Sequence, residues 1–174
     1  MNANLRSTSA VLGFPRIGPQ REVKKALEAY WGDKISAEEL LKVAKEQRLN
    51  TYATIKEQGI DFVPTGTFSL YDHVLDMSNT LGIIPEAGSE MCIRDSATSG
   101  LSQLDTYFAM ARGHQKGGVD LPATEMKKWF DSNYHYLVPE FSEKSEFKLN
   151  DNKPVDDFIE AKEAGYNARP VVLG

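Results

Sequence analysis

Two spacings of apolar residues alternate along the chain, one helical and one extended. Over residues 22–31, Val23, Ala26, Leu27 and Tyr30 recur three and four apart, which predicts an amphipathic helix that Gly32 and Asp33 end. Ser36-Ala37-Glu38-Glu39 has the form of a capping box: the serine hydroxyl accepts from the amide three residues on, and the glutamate reaches back. A long helix is predicted from there to about Gln58, with Leu41, Ala44, Tyr52 and Ile55 inward and Gly59 as its stop. The apolar runs 11–14 and 60–64 read as short strands, the first of them buried.

Further on, the pattern predicts helices from Tyr71 to about Leu81, over 104–112 and over 123–130. It leaves 113–120 as a polar loop, and reads 134–138 as a strand and 146–149 as an edge strand. Residues 154–164 read as a helix with proline at its start and Gly165 just past its end, followed by a strand opening at Arg169. Alternating strands and helices imply an α/β fold with a largely parallel sheet. A closed eight-stranded barrel of this kind takes about 200 to 250 residues or more. The expected architecture is therefore a partial (β/α)8 TIM-type barrel, its N-terminal portion only, over residues 11–174, preceded by a disordered tail at 1–10.

Composition narrows the chemistry. The chain of 174 residues carries 20 Lys and Arg against 25 Asp and Glu, a net charge of −5. A nucleic-acid module usually shows a basic excess, so this balance argues against one. No apolar run approaches the roughly 18 residues of a membrane span, and residues 1–10 lack a signal-peptide core. A reducing cytoplasm is the expected compartment. A single cysteine, Cys92, excludes an internal disulfide and a thiolate metal cluster.

Against that acidic background stands one basic stretch, V-L-G-F-P-R-I-G-P-Q-R-E-V-K-K-A over residues 11–26. Arg21, Lys24 and Lys25, spaced i, i+3 and i+4, share one face of the predicted helix. Arg21 falls in its first turn, where amides favour an anion. By spacing alone the same residues also read as a solvated helix face, with Glu22 balancing Lys25.

One segment fits neither neighbour. Residues 87–96, A-G-S-E-M-C-I-R-D-S, interrupt two well-patterned stretches and hold the lone cysteine. With its flanks, 87–98 is an atypical insert. The string M-C-I-R-D-S resembles adapter read-through in assembled transcripts, and an assembly artefact is the expectation, with a splice variant as the alternative. Arg94 is the only local group that could lower the Cys92 pKa, so no chemical role is expected there.

Five blocks in order carry a family resemblance: L-G-F-P-R-I-G-x-x-R-E-x-K-K at 12–25, Y-D-H-V-L-D at 71–76, L-D-T-Y-F-A-M-A-R-G at 104–113, E-M-x-K-W-F-D-S-N-Y-H-Y at 125–136 and R-P-V-V-L-G at 169–174. Together they resemble the cobalamin-independent methionine synthases, 5-methyltetrahydropteroyltriglutamate–homocysteine methyltransferases. The resemblance implies a zinc-dependent enzyme of two barrels that moves a methyl group from 5-methyltetrahydropteroyltri-L-glutamate to L-homocysteine, giving methionine without cobalamin. This chain matches only the start of the first barrel. The zinc and homocysteine belong to the second, so neither zinc ligands nor catalytic residues are expected here, and the fragment alone is expected to be inactive.

Carried over by position, the resemblance implies that Arg21, Glu22, Val23, Lys24 and Lys128 bind the folate polyglutamate tail, and that Asn133 faces the folate. The physical sense is plain: lysines suit a string of carboxylates as mobile point charges, Arg offers a fork, and an amide both donates and accepts. Read without the resemblance, Lys128 is a surface lysine, Asn133 a cap or turn residue, Trp129 and Phe130 core aromatics, and His135 a structural histidine. The expected partners are the two substrates and the absent C-terminal barrel, with no nucleic acid and no membrane, in a monomer when full length. The alternative functions are a non-catalytic folylpolyglutamate-binding module or an inactive truncated product.

Overall fold

A computed structural model describes residues 7–83, 101–116, 119–141, 143 and 145–173. The atypical insert at 87–98, with Cys92, lies outside the described residues. The chain divides into two compact units, Met1–Leu70 with Lys153–Val172 and Gly174, and Tyr71–Asn152 with Leu173. Its elements are α1 (Glu22–Trp31), α2 (Ala37–Glu57), β1 (Val63–Thr65), α3 (His73–Thr80), α4 (Gln103–Arg112), β2 (His114–Lys116), β3 (Val119–Leu121), β4 (Met126–Lys128), β5 (His135–Leu137), α5 (Lys153–Glu163) and β6 (Ala168–Pro170).

In the first unit α1 spans the residues its periodicity predicts and packs Val23, Ala26 and Leu27 inward against α2. The capping box at the start of α2 is formed: Glu39 N donates to Ser36 Oγ at 3.2 Å and Ser36 N to Glu39 Oε2 at 2.8 Å. Such a cap is worth about 1 kcal/mol. Along α2 the inward leucine is Leu40, fully buried, while the expected Leu41 is 48 % exposed. Leu40, Ala44, Tyr52 and Ile55 keep the helical spacing, so the face was right and one position on it was displaced.

β1 pairs with β6 in parallel, with Val63 opposite Ala168 and Thr65 opposite Pro170. On the other side of β1 the expected strand at 11–14 is reduced to a single parallel bridge, Ala10 to Phe62. Pro64 supplies the reason. Phe62 N donates to Ser9 O at 3.1 Å, whereas Val63 N turns the other way, to Asn167 O at 2.9 Å. The next donor facing the Ser9 side would be residue 64, and proline has none. The ladder stops, and Leu12 leaves it 76 % exposed. Ser9, expected within a disordered tail, is instead held: its N and Oγ both donate to Asp61 Oδ2, at 2.8 and 3.0 Å. Tyr52, Ile55, Val63 and Ala161 form the core between sheet and helices.

The second unit departs further from expectation. Residues 113–120, expected as a loop, hold most of an antiparallel hairpin, β2 with β3. The helix expected at 123–130 is instead strand β4, antiparallel to β5, with Met126 opposite Leu137 and Lys128 opposite His135. Two contacts select the strand over the helical propensity of E-M-K-K. Thr124 gives both its amide and its hydroxyl to Met110 O, at 2.9 and 3.0 Å, and the Trp129 ring meets the Tyr136 ring across the strands at 5.5 Å. The expected edge strand at 146–149 forms no strand; Lys148 N and Asn150 N bond to the carbonyls of Leu81 and Thr80. The sheets among the described residues are thus three pairs, one parallel and two antiparallel, and no closed barrel is present among them.

α3 begins on Asp72, a carboxylate 1 % exposed. Its Oδ2 accepts from Leu75 N at 2.9 Å and Leu137 N at 3.1 Å, and its Oδ1 from the Tyr134 hydroxyl at 2.5 Å. A helix cap, a strand amide and a turn tyrosine are thereby tied to one side chain. Leu75, Phe108, Met110 and Leu137 are buried in this unit.

Candidate functional site

The basic turn ahead of α1 is built from the backbone outward. Gly18 and Arg21 both have positive φ, 86° and 64°, and Arg21 is the residue from which α1 departs, with no side-chain cap. For a residue other than glycine the left-handed region costs about 1 kcal/mol or more. Arg21 N donates to Gly18 O and Val23 N to Ile17 O, each at 3.1 Å. These two amides are occupied within the turn, and exposed cationic side chains stand beside them.

The predicted tail residues take different situations. Arg21 is exposed. Glu22 Oε2 accepts from Gln20 N at 3.0 Å, which closes the turn. Val23 is 1 % exposed, so its side chain serves the core. Lys24 Nζ lies 3.5 Å from Glu28 Oε1 with both side chains about half exposed. Lys before Glu at i, i+4 is the weaker order for such a pair. An incoming carboxylate would therefore displace little.

Lys128 and Asn133 belong to the second unit, on the β4–β5 hairpin, and both are exposed. The loop joining the strands is set by Ser132: its amide and hydroxyl donate to Trp129 O at 3.2 and 2.6 Å, and its Oγ accepts from Tyr134 N. Phe130 takes φ 51° at its tip. The Asn133 carbonyl lies 3.2 Å from His135 Nδ1, leaving the Asn133 amide side chain to solvent. The structure thus groups the predicted residues into two sets, one in each unit.

Among the described residues no group of three His, Cys, Asp or Glu is arranged to hold a metal. His73 stacks on the Tyr134 ring at 6.2 Å, His135 bonds the turn, and His114 lies in β2. That donor set does not fit zinc, which takes three or four ligands converging on one point. No described helix is long and apolar enough to cross a membrane.

Two features lay beyond the sequence reading. The first is a partly buried charge cluster joining α2 to α5. Arg48 Nε and Nη2 donate to Glu160 Oε1 and Oε2, at 2.7 and 2.9 Å. Its guanidinium lies over the Phe68 ring at 5.3 Å, and Lys153 Nζ donates to Asp157 Oδ2 at 2.7 Å and to Phe68 O at 2.8 Å. Burial alone would lower the Arg48 pKa, but the Glu160 hydrogen bond and charge, with Asp157, carry it upward overall. Burial likewise pushes Glu160 up, and Arg48, Lys45 and Lys153 more than offset it, holding the carboxyl below its ordinary value. Tyr52 beside them is raised, by burial first and by the Asp157 charge second. The signal was available: Arg48 sits between Ala44 and Tyr52 on the apolar face of α2, where an arginine needs a buried partner.

The second feature is a cleft of about 620 Å³ between the 14–19 turn and α2, lined among others by Phe14, Arg16, Gln47, Asn50, Thr51 and Thr54. Gln47, Asn50, Thr51 and Thr54 follow one helix face, a polar stripe that reads in sequence as ordinary solvated surface.

The comparisons with known proteins agree with one another. The profile of the cobalamin-independent synthase N-terminal domain matches residues 8–174. The chain is 55 % identical over 172 residues to a probable 5-methyltetrahydropteroyltriglutamate–homocysteine methyltransferase of Schizosaccharomyces pombe, covering 95 % of this chain and 22 % of that protein. It is 51 % identical to the methyltransferase of that name from Saccharomyces cerevisiae, again over 95 % of this chain and 21 % of that one. The protein of the same name from Flavobacterium johnsoniae is 48 % identical over 163 residues, 94 % of this chain and 20 % of the relative. The chain spans about a fifth of the length of these curated relatives. With the profile covering nearly its whole length, the chain belongs to the cobalamin-independent synthase N-terminal domain family.

Proposed function

We propose that this chain is the amino-terminal part of a methyltransferase that moves a methyl group from 5-methyltetrahydropteroyltriglutamate to homocysteine, and that this part binds the folate polyglutamate tail. The observation that carries the reading is the family match over residues 8–174, with relatives of that name at 55, 51 and 48 % identity. The site is compatible with it. Arg21 at the N-cap of α1, Lys24 in its first turn and Lys128 at the end of β4 are exposed cations, and none is committed to a buried pair. They act by positioning a donor whose reacting nitrogen lies elsewhere, so their contribution is remote binding energy. Glu22 sets the turn, and Val23 anchors α1.

A partial barrel is the architecture we propose for the first unit within the longer protein. Its support is the parallel order Ala10, β1, β6, with α2 between the first two in sequence and α5 leading into the last. The group that activates the thiol in such an enzyme is zinc, and the described residues do not supply its ligands, so that chemistry falls to the rest of the chain. A cytoplasmic location belongs to the same proposal.

The test uses a full-length protein carrying this domain. Lys24→Ala and Lys128→Ala should each raise KM for the triglutamate donor about three- to tenfold, with the KM for homocysteine unchanged and the effect shrinking at high salt. A shift in the homocysteine KM instead would refute the tail assignment.

A further inference from the structure

Three large apolar side chains of the second unit stand in solvent on one short stretch. Phe147 and Leu149 are 64 and 71 % exposed, and the exposed Phe141 ring meets that of Phe147 at 6.0 Å. The backbone, not these side chains, holds the stretch in place. Beyond the end of α3 the carbonyls of Thr80 and Leu81 need outside donors. Asn150 N supplies one, to Thr80 O at 2.9 Å, and Lys148 N the other, to Leu81 O at 3.0 Å. Asp151 fastens the end: its carboxylate accepts from the Thr80 hydroxyl at 2.7 Å and from the Asn79 amide. Gly82 permits the approach, because a Cβ there would come within 3.0 Å of Lys148 O.

Amides of alternate residues that bond to one side mark an extended run, in which the residue between them turns its N–H and C=O the other way. Phe147 and Leu149 are the alternates here, and neither makes a hydrogen bond among the described residues. Glu146-Phe147-Lys148-Leu149 also alternates polar with apolar, which puts Phe147 and Leu149 on one face. The stretch therefore has one edge fastened to the end of α3 and the other edge open, with an apolar pair beside it. A bare edge of this kind is a template for pairing with another strand, and native proteins keep such edges covered.

We infer that residues 146–149 dock an extended segment of the longer protein, from the part C-terminal to this domain, which adds as a strand to the open edge. Its alternate apolar side chains cover Phe141, Phe147 and Leu149, while main-chain bonds to residues 147 and 149 set its register. The inference rests on the reading of this chain as the amino-terminal part of a longer protein. Length argues for the occupant: the chain spans 20 to 22 % of its curated relatives, so most of such a protein lies outside it. A segment of the same chain also meets the edge at a high effective concentration, whereas a second copy must first associate.

The experiment is hydrogen exchange of the full-length protein, resolved to single amides and run at two protein concentrations. The amides of Phe147 and Leu149 should exchange about 100-fold or more slowly than in an unstructured peptide, as those of Lys148 and Asn150 do, and equally at both concentrations. Phe147→Ser with Leu149→Ser should speed exchange at 147 and 149 about tenfold and leave 148 and 150 slow. A benzophenone in place of the Phe147 ring should photo-cross-link to a peptide C-terminal to this domain. Free exchange at 147 and 149 in the wild type, whether or not 148 and 150 are slow, overturns the docking edge. Protection that grows with concentration, or cross-links between two copies, overturns the occupant in favour of self-association. Neither Lys24 nor Lys128 enters these readouts, so the donor KM test can fail while the edge stands, and the edge can fail while that test succeeds.

Discussion

Each unit withdraws a charge from solvent, Arg48 in part and Asp72 fully, and the two neutralise it differently. Around Arg48 the neutralising groups are opposite charges, Glu160 and Asp157, in an ion-pair cluster that also engages Lys45 and Lys153. Around Asp72 they are uncharged donors: two backbone amides and a phenol. A charge held by counter-charges can be replaced together with its partners, because what is lost is a pair. A charge held by backbone donors cannot, since the amides stay behind whatever replaces the carboxylate. The first unit is thus sensitive to the balance of its cluster, and the second to a single side chain.

The largest expected effect follows from breaking the cluster on one side only. Arg48→Ala leaves Glu160 without its main counter-ion, while Asp157 keeps Lys153, and should destabilise the first unit by about 3 kcal/mol. Arg48→Met with Glu160→Leu should recover most of that. Urea unfolding, with amide exchange followed in α2 and α5, would check both, and a double variant as weak as the single one would break the comparison.

Next in size is Asp72→Asn, which retains the shape but puts an NH2 where donors converge. It should cost about 2 kcal/mol. The one oxygen that remains can serve either the Leu75 and Leu137 amides or the Tyr134 hydroxyl, so one of these contacts is lost, read as reduced exchange protection at the two amides or as a released Tyr134 hydroxyl. No second substitution should restore it, in contrast to the Arg48 pair.

The smallest effect is one of pH. Glu160 has a folded pKa below its ordinary 4.5, so the stability it contributes is present above that value and is lost as pH falls through the lower folded one. The wild type should lose stability in that acid window, and Glu160→Gln should be weaker at neutral pH and flatter below 4.5. Equal slopes in the two proteins would remove Glu160 from the account.

How much of this was legible in sequence divides along the same line. The first unit could be read locally: the capping box at Ser36 and Glu39, the period of Val23, Ala26 and Leu27, and the glycine stop after α2 each act within a few residues. The second could not, because β4 owes its form to Thr124 reaching Met110 and to Trp129 meeting Tyr136, contacts between residues 7 to 14 positions apart. A helical propensity in E-M-K-K is a weak preference beside those. The missing strand at 11–14 was harder still, since its cause, Pro64, lies in a different element. Of the site, the cations of the basic turn were visible as a charge run, and the hairpin pair came only with the family blocks. The cleft beside α2 joins the 14–19 turn to a helix face some thirty residues on, which no spacing within either stretch reveals.

The backbone of Arg21 has one more consequence. At φ 64° the position suits glycine or asparagine better than arginine. Random drift under selection for stability alone would move it to one of those residues, gaining about 1 kcal/mol. Arginine there makes the turn a small store of tension, held by Glu22 below and released to no one until something else rewards the guanidinium. A designer seeking a sturdier domain would change this residue early, and would be exchanging the domain's charge for its rigidity.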